Sequence, residues 1–451
     1  MMIKKIIYEN RIYFFLFWLV YFSLSIYFFV ERTTYADSAY YLFNIIQKEN
    51  FNYEHFRYTS FLTQWLAVLA VKLNMPLKIV MLMYSLGISI YLFVIFLIIN
   101  FLSAQKWHKY IYLLSIVATI HHVFFFIASE IFIGNGLLLL LTVTLTTSKI
   151  NEVKKFLVLG VILILLFFLH QLLMMITVFI FALSFIHNRI KLAIIALLIA
   201  GILIMIRMVF LRDGYETSVL GGINWRTITL RTFHSGVFTK HILRNILNGH
   251  YLLPIIIIFY LFFVSSSTLY YKIVVLLIVV FNYILMMVFL RSAAFSAYID
   301  SYLSVFFVCL WSSIILIIKD ENLQDKRWIN YMLIIIFLIS FTCLINEKKY
   351  SNRIALLKSM MKSKESKYIY NYDIMNAEIK SISWTIPYET LLISTLESKS
   401  KTILIRETRF YLEPFLNDST KFLGADWTFF TPVKLNDRYF KLANEKYHQL
   451  N

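Results

Sequence analysis

Cysteine, proline and glycine are scarce in this chain: 2, 5 and 11 among 451 residues. Cys309 and Cys343 both sit in apolar stretches, so they read as small core hydrophobes and no zinc-ligand spacing exists. They leave the redox compartment open. So few glycines and prolines, with no half-repeat, argue against a transporter built from related halves with helices broken at the midplane. Charge is also thin, at 15% of residues. A soluble domain of ordinary composition is about a quarter charged. Acidic residues are the scarcer sign, which leaves a net charge of +18. The basic residues mostly flank apolar segments, and no Lys/Arg-rich helix with interleaved aromatics stands free. That excludes nucleic acid as a partner and points to lipid phosphate.

Apolar sequence is what the chain has in abundance. Sixty per cent of it is hydrophobic, and the mean hydropathy is +0.72. Runs near the length of a bilayer's hydrocarbon core recur. The first, Ile12–Val30, follows Lys4, Lys5 and Arg11, and is too long for an ordinary signal core. Further runs lie near Ile79–Leu102, Tyr110–Ala128, Ile131–Thr147, Phe156–Leu169, Leu172–Ile186 and Leu192–Leu211. Four more follow near Tyr251–Val264, Ile273–Leu290, Tyr298–Ile318 and Trp328–Ile345. The reading is an all-α polytopic membrane protein of about eleven transmembrane helices. Lys106, Lys109, Lys149, Lys154, Lys155, Arg189 and Lys191 fall in the predicted inner loops. By the positive-inside rule the N-terminus is cytoplasmic and the C-terminus lies outside.

Two predicted outer loops are long, residues 31–78 and 212–250, and long loops on one face suggest chemistry on that face. They belong to a transmembrane domain of residues 1–346. Residues 347–451 have ordinary charge density. They mix helix-like runs such as Ile354–Lys362 with strand-like runs such as Lys401–Ile405. They are expected to form a small α+β domain on the extracytoplasmic side.

The first outer loop is the most specific segment. If the stretch from Thr33 to Asn44 is helical, Asp37, Tyr40, Tyr41 and Asn44 share one face. Arg57-Tyr58-Thr59-Ser60 then precedes Phe61–Leu73, which is too short to span. It repeats apolar residues at helical spacing, so it reads as a helix lying in the interface. Asn74-Met75-Pro76 ends it.

This layout resembles the GT-C superfamily of membrane glycosyltransferases, such as protein O-mannosyltransferases and the aminoarabinose transferases of lipid A. In that superfamily an acidic residue followed by aromatics opens the first outer loop, as Asp37-Ser38-Ala39-Tyr40-Tyr41 does here. A basic residue precedes an interfacial helix, as Arg57 does. The chain departs from the pattern where a second acidic residue and paired prolines often stand, at Ser38 and at Tyr58-Thr59. The resemblance implies a polyprenyl-phosphate-linked sugar donor and an acceptor that is a glycan, a lipid or a protein. It implies Asp37 as the base that takes the acceptor proton. The plainer role for Asp37 is a first-turn carboxylate in a helix capped by Thr34. No cofactor is demanded by the sequence, and a divalent cation requirement stays open.

The loop 212–250 carries Arg212, Arg226, Arg231, Lys240 and Arg244, which suit a donor phosphate or anionic lipid generally. Arg291 opens an Arg/Tyr element at an outer boundary. It is either a further phosphate ligand or an interfacial anchor. The candidate phosphate-binding residues are therefore Arg57, Arg212, Arg231 and Arg291. Glu130 and His170 sit at predicted outer turns and, with Tyr40 and Tyr41, are candidate site-lining groups. No metal-ligand spacing joins them. An oligosaccharide polymerase or ligase of O-antigen type is the second reading, with Arg212–Arg244 as its basic outer loop. A lipid-linked sugar transporter is the third.

Overall fold

A computed structural model describes residues 2–103, 107–186, 190–211, 326–362, 365–372, 377–380, 382–406, 421–426 and 429–450, with single positions between them. Ten helices fill the first 210 residues. They are α1 (Met2–Tyr27), α2 (Phe29–Thr33), α3 (Asp37–Lys48), α4 (Phe61–Lys72), α5 (Leu77–Leu102), α6 (His108–Val123), α7 (Glu130–Thr146), α8 (Glu152–Phe167), α9 (Gln171–Ile186) and α10 (Ile190–Phe210). A long helix, α11 (Lys326–Met360), follows. Then come β1 (Lys367–Asn371), α12 (Ala377–Lys380), α13 (Ile386–Leu396), β2 (Thr402–Arg406), β3 (Phe422–Asp426), β4 (Phe429–Val433) and β5 (His448–Leu450).

The expectation of an all-α polytopic protein with about eleven spans is corrected here. Among the described residues, one helix is long and apolar enough to cross a membrane, Leu77–Leu102. For three of the helices the reason is length. A hydrocarbon core needs about 20 residues of helix, whereas α7, α8 and α9 have 17, 16 and 16. An apolar run does not by itself distinguish a span from a helix buried in protein, and α7 is buried along nearly its whole length. The runs expected near 251–264, 273–290 and 298–318 lie largely outside the described residues, which there include 273, 304, 307–309, 311–312 and 315–316.

Helix packing uses small residues and hydroxyls as seams. Ser25 of α1 and Ser89 of α5 meet oxygen to oxygen at 2.9 Å, and Ser85 Oγ donates to the Ser25 carbonyl at 2.7 Å. Gly87 lets α4 press on α5, since an added Cβ would stand 1.9 Å from the Thr63 carbonyl oxygen. The Tyr91 hydroxyl donates to the Ile133 carbonyl (2.7 Å), joining α5 to α7. The outward faces of α1, α5, α8 and α10 leave large apolar side chains exposed, among them Phe15, Phe101, Leu157 and Phe210.

Helix α11 packs on α1 and α6. Its final turns enter a second core, in which Leu357 and Met361 meet Tyr368, Ile386 and Ile403. That core supports a parallel sheet in the order β2-β1-β5, with Ile369 opposite Leu404 and Tyr368 opposite His448. Parallel neighbours need a crossover, and α13 lies in the connection from β1 to β2. An antiparallel pair, β3 and β4, completes the region.

Candidate functional site

Helix α3 begins at Asp37, as the sequence pattern suggests, but its start is built unusually. Thr34 does not cap it; the Thr34 hydroxyl donates back to the Val30 carbonyl at 2.8 Å. The N-cap residue is Ala36, with φ 50° and ψ −134° and no side-chain cap. Asp37 is partly accessible, while Ser38, Ala39 and Tyr41 are buried.

Arg57 arrives from a loop whose backbone is strained. His55 and Phe56 have φ of 52° and 59°, where residues with a Cβ rarely sit. The Arg57 N–H closes a turn on the Glu54 carbonyl at 2.9 Å. The loop is pinned at its far side by Thr59. Its N–H donates to the Phe168 carbonyl at 3.0 Å and its hydroxyl to the Leu165 carbonyl at 2.6 Å.

Glu130 opens α7, after Ser129 caps it by accepting from the Phe132 N–H at 3.3 Å. A carboxylate in a first turn is favoured by the helix dipole. Glu130 Oε1 accepts from the Tyr41 hydroxyl at 2.7 Å and lies 3.2 Å from Arg57 Nη1. Burial, then the Glu130 carboxylate, pushes the Tyr41 phenol well above its ordinary range; Arg57 acts against them and Asp37 adds to them. Tyr41 is therefore a neutral donor, and Glu130 is already engaged twice. Asp37 lies within electrostatic reach of Tyr41 and of Tyr84 in α5.

His170 stands in the turn between α8 and α9, its Nδ1 accepting from the Leu172 N–H at 3.2 Å. Packed protein around the imidazole, and then Arg57, Arg207 and His55, holds its pKa well below the usual histidine range. Arg207, buried in α10, donates to the Phe167 carbonyl and, through Nη2, to the His55 carbonyl at 3.4 Å.

The geometry thus brings Asp37, Tyr41, Arg57, Glu130 and His170 to one place. Tyr40 turns elsewhere. Its hydroxyl donates to Glu54 Oε1 (3.2 Å), and its ring meets Trp384 and Tyr388 at 5.5 and 5.3 Å. Arg212, Arg231 and Arg291 lie outside the described residues. Arg207 and His55 were not singled out from sequence. Arg207 had a signal, because an arginine inside an apolar run is expensive and demands partners. Among the described residues, no three His, Cys, Asp or Glu side chains converge to hold a metal ion.

An apolar groove of about 710 Å3 is lined at Leu62 of α4 and at Leu165 of α8, whose carbonyl accepts from the Thr59 hydroxyl. It continues between α5, α7 and α8 past Tyr91, Leu137 and Val161 to Phe101 and Leu157. No family model, no curated protein and no solved structure matches this chain.

Proposed function

We propose that the protein is a membrane glycosyltransferase that moves a sugar from a polyprenyl-phosphate donor to an acceptor at the outer face of the cytoplasmic membrane. The observation that carries this reading is the grouping of Asp37, Arg57 and Glu130 about the Tyr41 hydroxyl, with Arg57 and Arg207 in turn beside a neutral His170. Transfer needs both a base and a cationic cradle. The acceptor hydroxyl attacks the anomeric carbon and its proton passes to Asp37. The bond from that carbon to the phosphate oxygen breaks, and the electron pair leaves with the phosphate. Arg57 and Arg207 flank the charge that develops there. Glu130 holds Arg57 in place, and Tyr41 holds Glu130.

Two features support a lipid donor. The groove between α5, α7 and α8 is apolar along its length and suits a prenyl chain. The exposed apolar faces of α1, α5, α8 and α10 suit contact with a bilayer. Residues 347–451 share the outer side with α3 in this reading, because they pack against it.

The test is transfer from a lipid-linked donor by purified Asp37→Asn protein, with donor binding measured alongside. Loss of a general base costs about 10²–10⁴ in rate, whereas loss of a first-turn charge costs about 0.3–1 kcal/mol of helix stability. The variant is expected to fold and bind donor but transfer little sugar. Near wild-type transfer would remove Asp37 as the base.

A further inference from the structure

The strained start of α3 is held from the far end of the chain. Glu389, in α13, is fully buried, and its Oε1 accepts from the Ala36 N–H at 3.2 Å. Arg353, near the end of α11 and also buried, grips that carboxylate through Nε to Oε2 at 2.8 Å and through Nη2 to Oε1 at 3.1 Å. The Thr385 hydroxyl donates to the same Oε1 at 2.6 Å. The neighbouring residue is clamped too, with the Tyr35 ring edge-on to Tyr350 at 4.6 Å.

An alanine at φ 50° and ψ −134° occupies a region that favours glycine, and such a conformation persists only when its surroundings impose it. The groups that impose it here come from α11 and α13, and the next residue in the chain is Asp37.

We propose that the Arg353–Glu389 pair is a positioning device for the candidate base: it holds Ala36 in its strained conformation and so fixes where Asp37 points. The role in transfer rests on the reading of Asp37 given above; the hold on the backbone does not. Without Glu389, Ala36 relaxes to ordinary φ, the first turn of α3 re-forms differently, and the carboxylate leaves its place beside Tyr41. A misplacement near 1 Å is worth on the order of 10²-fold in rate.

Glycine at position 36 separates positioning from mere folding, because glycine adopts the native conformation without strain. The experiment uses full-length protein in detergent, as wild type, Glu389→Gln, Ala36→Gly and the double variant. The first readout is hydrogen exchange at Ser38 and Ala39, whose amides donate to the carbonyls of Tyr35 and Ala36. The second is transfer, split into kcat and KM. Glu389→Gln is expected to lose protection at Ser38 and Ala39 while Ile403 and Ile405 in β2 stay protected. Its kcat is expected to fall on the order of 10²-fold with the KM for donor little changed. Adding Ala36→Gly is expected to restore both readouts in large part.

Unchanged protection at Ser38 and Ala39 in Glu389→Gln overturns the proposal. So does a loss shared with β2 that Ala36→Gly does not repair, since Glu389 is then only a folding residue. Should Glu389→Gln not fold, Thr385→Val removes one hydrogen bond to the same oxygen, and the same pattern is expected in milder form. Altered and rescued protection with no transfer by the wild type keeps the hold on Ala36 and refutes the glycosyltransferase reading instead.

Discussion

The Tyr41 hydroxyl donates to Glu130 Oε1 at 2.7 Å across 89 residues of sequence, and Arg57 meets that same oxygen at 3.2 Å. Three elements, α3, the loop after it and the start of α7, are thereby tied at one atom. The arrangement fixes the Arg57 guanidinium against the first turn of α7.

The Arg57–Glu130 pair is mostly buried, so removing one partner strands the other. Glu130→Gln and Arg57→Gln should each lower stability by about 3 kcal/mol. The double variant should cost clearly less than the sum of the two. Chemical or thermal unfolding of the four proteins measures the coupling. Additive costs would show that the two side chains do not rely on each other.

His170 predicts an acid sensitivity. In an unfolded chain histidine titrates near 6.5, while burial and the cations beside His170 hold its folded pKa well below that. Between the two values the unfolded chain binds the extra proton, so stability is intact above about 6.5 and falls with pH below it, at most by about 1.4 kcal/mol per unit. Thermal midpoints from pH 7.5 to 5 should drop more steeply in the wild type than in His170→Gln. Parallel profiles would contradict the buried, neutral imidazole.

Gly87 and Gly160 predict opposite outcomes for one substitution. Alanine at 87 would drive its methyl into the Thr63 carbonyl, whereas nothing lies within 4 Å of a Cβ at 160. Gly87→Ala should cost about 1–3 kcal/mol through forced separation of α4 and α5. Gly160→Ala, inside α8, should stabilise by about 0.5–1 kcal/mol. Thermal midpoints in one detergent decide it, and equal effects would discard the close α4–α5 approach.

In the proposed reading, in which the groove takes the donor's lipid, donor affinity depends on chain length. Val161→Trp fills part of it. Excluding two or three carbons of a bound chain costs about 2 kcal/mol, roughly thirtyfold in Kd. Binding of a long polyprenyl phosphate should weaken by that order, while a short-chain analogue that ends before Val161 should bind as before. An equal loss for both would place the lipid elsewhere.

The local elements were readable because they rest on local chemistry. The run expected from Ile79 to Leu102 is α5, Leu77–Leu102, and the short run expected from Phe61 to Leu73 is α4, Phe61–Lys72. Pro76 marks the boundary between them, as a residue that can begin a helix but not continue one. The span count failed because hydropathy reports burial without saying in what, and α7 is buried in protein. Asp37 and Arg57 were legible as candidates within one segment, residues 31–78. Their link to His55 and Arg207 was not, because it depends on how α10 crosses the loop. The hold of Glu389 on Ala36 leaves no local trace in either segment, since a carboxylate in a helix first turn and an alanine before an aspartate are both commonplace.

That last contact orders events during synthesis. Ala36 and its carboxylate partner are 353 residues apart. At about 5–20 residues per second, the ribosome takes roughly 20–70 s to travel that distance. Once Leu165 has been made, the nascent chain carries the groove residues and Asp37, but nothing yet to hold Ala36 in its strained state. A chain truncated before α13 would carry every side chain of the cluster and still lack the geometry that aims it. Synthesis through α13 thus serves as a licence for the geometry at Ala36, which products terminated before it lack.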